Sequence, residues 1–154
     1  MSDDERTTKS DEILALIQTL MSMVWHPDVF LTLEPLIGSD RAAASVLSMT
    51  SGGGAITMSN FSFREPEIEA HWEAVRGELS EIVFIPHDID LKDPSVAPAM
   101  FADLGARLTA AYGQPIESTS DGVVWANGER LVRLKLHDSH PAAAALMVSI
   151  EFPR

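Results

Sequence analysis

Residues 123–136 read Val-Val-Trp-Ala-Asn-Gly-Glu-Arg-Leu-Val-Arg-Leu-Lys-Leu, and this stretch decides the fold class. Two runs rich in apolar and β-branched residues flank Asn127-Gly128, a dipeptide that tolerates the positive φ of a type I′ turn. A two-residue turn here sets Trp125 opposite Arg130, so the apolar side chains of both strands share one face. The stretch therefore predicts a β-hairpin whose core-facing residues are Val123, Trp125, Val132, Leu134 and Leu136.

A third strand is predicted directly after this hairpin. Residues 144–152 carry an apolar side chain at every second position, namely Ala144, Leu146, Val148, Ile150 and Phe152. A loop over residues 137–143 separates them from the hairpin. Alternation of this kind is typical of a strand with one buried face. The C-terminal part of the chain is thus predicted to form a three-stranded antiparallel meander.

Two amphipathic helices are predicted before the meander. Residues 11–25 carry an apolar stripe of 3.6-residue period, with Ser10 placed to cap the helix and Pro27 placed to stop it. A second helix opens at 93–95, Asp-Pro-Ser, and closes at Gly113. Its apolar stripe consists of Val96, Met100, Phe101, Leu104, Leu108, Ala111 and Tyr112.

The middle of the chain gives mixed signals. A glycine-rich turn over residues 50–54 separates two predicted strands at 46–49 and 56–63. Residues 65–76 fit a helix slightly better than a strand, and 82–85 form a short buried strand. Together the elements predict an α+β fold, with helices packed on one face of a largely antiparallel sheet. Residues 1–9 are expected to be a disordered tail, and 10–154 a single domain.

Composition excludes several classes of function. The chain of 154 residues has a net charge of −12 and no cysteine. Such a charge repels nucleic acid and anionic membranes, and the absence of cysteine removes thiol catalysis, disulfides and thiolate metal sites. No apolar run approaches the roughly 18 residues of a membrane span. We therefore expect a soluble cytoplasmic protein that binds neither nucleic acid nor membrane.

Motifs for catalysis or cofactor binding do not emerge from the sequence. His137 and His140 form an HxxH pair in a predicted loop, and His87 lies beside two aspartates, but neither spacing matches an established metal motif. The glycines of 52–54 lack the Lys-Ser/Thr of a phosphate-binding loop, and no GxSxG elbow occurs. We accordingly predict no catalytic residue, no metal and no cofactor. The alternative is a small ligand- or metal-binding enzyme with a pocket between helix and sheet that holds one of these histidines.

Acidic residues concentrate in one part of the chain. Residues 65–93 contain nine Asp and Glu against only Arg76 and Lys92. Such a stretch is either a solvated face or a surface that attracts a basic protein. Trp72 within it is either a core residue or an exposed hot spot. The residues predicted to bind a partner are Glu65, Glu69, Trp72, Glu73, Glu81, Asp88, Asp90 and Asp93.

Several local features together resemble those of a known family. A capped amphipathic helix over 11–25 ends in Trp, a later helix closes on Tyr112-Gly113-Gln114-Pro115, and a Val-x-Trp strand at 123–125 precedes two alternating strands. In these features the chain resembles a family of small actinobacterial proteins of unknown function. It is also similar to immunity proteins, which neutralise toxins, and to secretion chaperones, in being small, acidic and free of cysteine. The resemblance implies a binding role by analogy.

The sequence therefore predicts a non-catalytic protein-binding module. The most specific form of this hypothesis is an immunity factor or chaperone that binds a basic toxin or effector through the acidic stretch. A homodimer joined through sheet edges is a further possibility that the sequence leaves open.

Overall fold

The computed structural model describes residues 3–25, 45–51, 54–64, 67–76, 78–86, 95–119, 122–140 and 143–152. Within these ranges the chain forms two helices and eight strands. The helices are α1 (Asp3–Ser22) and α2 (Val96–Tyr112). The strands are β1 (Ser45–Ser51), β2 (Gly54–Arg64), β3 (Glu67–Val75), β4 (Glu78–Phe84), β5 (Glu117–Thr119), β6 (Gly122–Asn127), β7 (Arg130–His140) and β8 (Ala143–Glu151).

The strands form one antiparallel sheet in the order β1-β2-β3-β4-β8-β7-β6-β5. This order consists of two meanders, β1 to β4 and β5 to β8, whose last strands lie side by side. α2 connects β4 to the far edge at β5 and packs against β6, β7 and β8, while α1 packs against α2, β7 and β8. The predicted α+β fold with a C-terminal meander is confirmed. The meander gains one short strand, β5, that the sequence did not indicate.

The core lies between the two helices and one face of the sheet. Val132 is directly opposite Ile150, and Leu134 is directly opposite Val148; all four side chains are 0% exposed. Burial of each such aliphatic side chain is worth about 1.5–3 kcal/mol. The apolar stripe of α1 covers this face with Ile13, Leu16, Ile17, Leu20 and Met21. The predicted core-facing parity of the C-terminal strands is therefore confirmed.

The turn of the β6–β7 hairpin lies one residue later than predicted. Asn127 pairs with Arg130, so the two turn residues are Gly128 and Glu129. Gly128 has a φ of 64°, whereas Glu129 is not in the positive-φ region. This combination is that of a type II′ turn, which takes glycine at its first central position. The predicted partner of Trp125 is thus displaced by two residues, and the faces remain as predicted because side chains alternate with a period of two.

Residues 67–75 form strand β3 and not the helix that the sequence slightly favours. Ile68 and Trp72 satisfy both the i, i+4 spacing of a helix and the alternation of a strand. The local pattern therefore does not decide between them, and pairing with β2 and β4 does. Trp72 is 1% exposed and lies opposite Ile82 on the core face. The prediction that Trp72 contacts a partner is therefore wrong.

The first helix begins earlier than its predicted start at residue 11. α1 starts at Asp3 and includes residues that the sequence assigns to a tail. Ser10 consequently lies within the helix and does not cap it. Its side chain is buried, and its Oγ has no hydrogen-bond partner in the described structure.

We predict that Ser10→Ala stabilises the protein. An unpaired buried hydroxyl costs about 1–3 kcal/mol, so its removal should raise the free energy of unfolding by about 1 kcal/mol. The measurement is urea unfolding followed by circular dichroism. The control is Ser22→Ala in the exposed last turn, where Oγ donates to the carbonyl of Gln18 at 2.8 Å; it should change stability by less than about 0.5 kcal/mol. A destabilised Ser10→Ala variant would contradict this account of the buried hydroxyl.

The C-terminal end of α1 is anchored to the sheet by one arginine. Arg130 Nη1 donates to the carbonyl oxygen of Leu20 at 2.9 Å, and Trp25 Nε1 donates to the same oxygen at 3.2 Å. The guanidinium carbon lies 4.9 Å from the ring centroid of Trp25 and 5.8 Å from that of Phe152. A cation at the negative end of a helix dipole is favourable, and the two rings add cation–π attraction. Arg130 thus connects the helix, the start of β7 and the residue after β8.

Replacing Arg130 by methionine should lower the free energy of unfolding by about 2 kcal/mol, because a charged hydrogen bond and a cation–π contact are lost together. The matched control is Arg107→Met, which removes only the exposed ion pair of Arg107 with Asp11 and should cost less than about 1 kcal/mol. Both variants are measured by thermal and urea unfolding. Equal losses in the two variants would rule out a special role for Arg130.

Candidate functional site

The sheet face opposite the core carries a concentration of carboxylates. Neither described helix packs against this face, which we call the helix-free face. Strand alternation places Glu69 and Glu73 of β3 there, because their neighbours Ala70 and Trp72 point into the core. β4 contributes Glu81 and β8 contributes Glu151 to the same face.

Three of these glutamates form a row across adjacent strands. Glu73 is directly opposite Glu81, and Glu81 is directly opposite Glu151. Neighbouring strands lie about 4.8 Å apart, and directly opposed side chains on one face are in contact range. We call these three residues the carboxylate row. Like charges directly opposite each other destabilise a sheet, so repulsion within this row lowers the stability of the fold.

A β-bulge sets the register of the row. The pairing of β3 with β4 shifts between Glu73 and Ala74, which leaves Ser80 as the extra residue on β4. The Ser80 hydroxyl donates to the carbonyl oxygen of Glu73 at 3.1 Å, and the Ser80 carbonyl accepts from the backbone N–H of Phe152 at 2.9 Å. The extra residue allows Leu79 to face the core while Glu81 stays on the helix-free face.

Glu81, at the centre of the row, has a perturbed ionisation equilibrium. Its pKa is raised above the ordinary 4.5, first by burial and then by the charges of Glu151 and Glu73. A hydrogen bond from Ser149 and the charge of Arg133 lower the pKa but do not outweigh the other effects. The ionised form of Glu81 is therefore less favourable in the folded protein than in water.

Arg133 of β7 partly neutralises one end of the row. Its Nε lies 3.4 Å from Oε2 of Glu151, and its Nη2 lies 3.8 Å from Oε2 of Glu117 on the edge strand β5. This single cation is shared between two carboxylates. In the described part of the chain no lysine or arginine forms an ion pair with Glu73 or Glu81. Among the described residues, the end of the row on β3 and β4 therefore has no cation paired with it.

The structure brings together three residues of the predicted binding set and adds one. Glu69, Glu73 and Glu81 lie on the helix-free face, whereas Trp72 lies in the core. Glu65, Asp88, Asp90 and Asp93 fall outside the described residues. Glu151 was not predicted. Alternation in the last strand already pointed its side chain away from the core, but no local signal indicates that β8 lies beside β4.

The histidines form no site in the described residues. No group of three or more His, Asp and Glu side chains within the described ranges is arranged to hold a metal ion. His137 and His140 belong to β7, which extends through much of the predicted loop with a register shift between them. His87 lies outside the described ranges.

Comparison of the chain with known proteins finds no similar protein. No protein-family model, no curated protein and no solved structure matches the chain. Neither of the two described helices is long and apolar enough to cross a membrane.

We predict that Glu81→Gln removes a pH-dependent loss of stability. Because the folded pKa of Glu81 lies above 4.5, the folded protein retains this proton after the unfolded chain has released it. Stability therefore falls as the pH rises from 4.5 through the raised pKa. At neutral pH the variant should be more stable than the unsubstituted protein, by no more than the roughly 1 kcal/mol of an opposed side-chain pair that solvent partly screens, and below pH 4.5 this advantage should disappear.

The measurement is urea unfolding of both proteins between acidic and neutral pH. The control is Glu69→Gln, an exposed glutamate on the same face but outside the row, which should change stability by less than about 0.5 kcal/mol at any pH. A stability difference that does not vary with pH would show that the effect of Glu81 is not one of charge.

Proposed function

We propose that this protein is a non-catalytic binding module, an immunity factor or chaperone that binds a basic toxin or effector through its helix-free face. The observation that supports the proposal is the carboxylate row. Among the described residues, the row of three glutamates has an ion pair only at Glu151, with Arg133, and Arg133 is also paired with Glu117. A partner that supplies lysine or arginine would relieve the repulsion within the row.

The chemistry of the face favours a cationic protein as its ligand. A net charge of −12 disfavours nucleic acids and anionic lipids, whose phosphates would be repelled. Complementary charge on a protein partner accelerates its diffusional encounter and fixes its orientation. The partner's cationic groups would be those with which a toxin holds its own anionic substrate, so that binding blocks the substrate site.

The position of the carboxylates on strands makes the surface rigid. Glu73 and Glu81 are held by paired backbone and by the bulge at Ser80, so little conformational entropy is lost in backbone ordering when a partner binds. Burial adds to this advantage, because a partly desolvated carboxylate interacts more strongly with an incoming cation than an exposed one does. Arg133 limits the receptive part of the row to Glu73 and Glu81.

The test uses two variants of identical net charge. The first variant carries both Glu73→Gln and Glu81→Gln and so removes the receptive part of the row. Glu12→Gln with Glu129→Gln removes two exposed charges, one on α1 and one in the β6–β7 turn. Each protein is immobilised and exposed to lysate of the source organism at low and moderate salt. A captured protein is identified by mass spectrometry and purified. Its association and dissociation rates are then measured against the unsubstituted protein and both variants.

The proposal expects one stoichiometric basic partner whose association rate falls with ionic strength. The row variant should lose affinity for it by tenfold or more, mostly through a slower association, while the charge-matched control retains it. An equal loss in both variants would mean that overall charge and not the helix-free face attracts the partner. A partner unaffected by loss of the row, or binding that is indifferent to salt, would overturn the proposed site.

A further inference from the structure

The two edges of the sheet are protected to different degrees. At one edge, β5 has three residues, all of them exposed, and begins with Glu117. At the other edge, β1 has seven residues and contains neither charge nor proline. β1 pairs with β2 along its full length, and its outer edge pairs with no other described strand. Short or charged edges resist further pairing, whereas a long neutral edge accepts another strand.

The sequence of β1 is close to a palindrome. It reads Ser-Val-Leu-Ser-Met-Thr-Ser over residues 45–51. If two copies pair antiparallel about Ser48, Ser45 stands opposite Ser51, Val46 opposite Thr50 and Leu47 opposite Met49, and Ser48 meets itself. Every position thus meets a residue of its own kind: small polar with small polar, β-branched with β-branched, and long apolar with long apolar. Twofold symmetry requires this self-complementarity, because both copies present the same surface.

The lack of charge on β1 also favours a second copy of this protein as the partner of its outer edge. The stretch from residue 45 to 63 contains no Asp, Glu, Lys or Arg, in a chain of net charge −12. It is a place where two copies of an acidic protein can meet without opposing carboxylates. A basic partner would find no complementary charge along this edge.

We propose that two copies of this protein form a symmetric dimer by antiparallel pairing of β1 about Ser48. The two sheets then join into one continuous sheet. Directly paired residues of an antiparallel ladder lie on the same face, so the helix-free faces of both copies point to the same side. The dimer therefore presents both carboxylate rows on one face, separated by the β1 and β2 strands of the two copies.

The first test is the oligomeric state of the full chain, measured by sedimentation velocity over a wide concentration range. The wild-type protein should sediment as a dimer that dissociates on dilution. Ser48→Lys places two like charges at the symmetry axis and should give a monomer, as should Ser48→Glu. An equimolar mixture of these two variants should restore a dimer, because opposite charges then meet at the axis. The control is Ser118→Lys on the β5 edge, which should leave the dimer intact.

The second test uses the absence of cysteine from the chain. Ser48→Cys is a small change, and the two thiols would face each other across the axis at a Cα separation of about 4.5–5.5 Å, within the range of a disulfide. Mild oxidation at low protein concentration should link this variant into a covalent dimer, while Ser118→Cys stays monomeric. A wild-type protein that is monomeric at every concentration, or a Ser48→Cys variant that does not cross-link selectively, would overturn the proposed dimer.

Discussion

Ile82 and Phe84 of β4 lie directly opposite Ile150 and Val148 of β8, and this short pairing joins the two meanders. On the core face it continues the apolar layer from β7 across to β3, so that α1 and α2 cover a single surface. On the other face the same register sets Glu81 opposite Glu151. One strand pairing therefore sets both the packing of this part of the core and the repulsion between Glu81 and Glu151.

Local patterns predict the C-terminal half of the fold well, because the misplaced turn shifts the pairing by two residues, which leaves every side chain on its predicted face. The predicted turn lies one residue too early, yet Trp125 and Leu134 lie on the predicted face. The apolar pattern does not distinguish a helix from a strand where the same residues fit the period of both. Ile68 and Trp72 fit a helix as well as a strand, and only pairing with β2 and β4 distinguishes these structures.

The candidate site was predictable only in part, for a related reason. The acidic stretch includes Glu69, Glu73 and Glu81, and strand alternation brings all three to one face. Glu151 lies far from them along the chain and joins them only because β8 inserts beside β4. No residue near Glu151 indicates that neighbour. The bulge at Ser80, which brings Glu81 opposite Glu73, is likewise a property of pairing and not of sequence period.

The order of strands has a consequence for how the chain acquires its structure during synthesis. β8 follows all the other described strands in sequence, yet it lies in the middle of the sheet, between β4 and β7. While the ribosome is still making the second meander, the inner edge of β4 has no neighbour. This edge is paired only when β8 arrives from a distant part of the chain. The chain therefore loses conformational entropy before it gains the contacts of this pairing. Until β8 emerges, this edge of β4 stays open to other molecules in the cell, and a chaperone would have its longest opportunity to bind there.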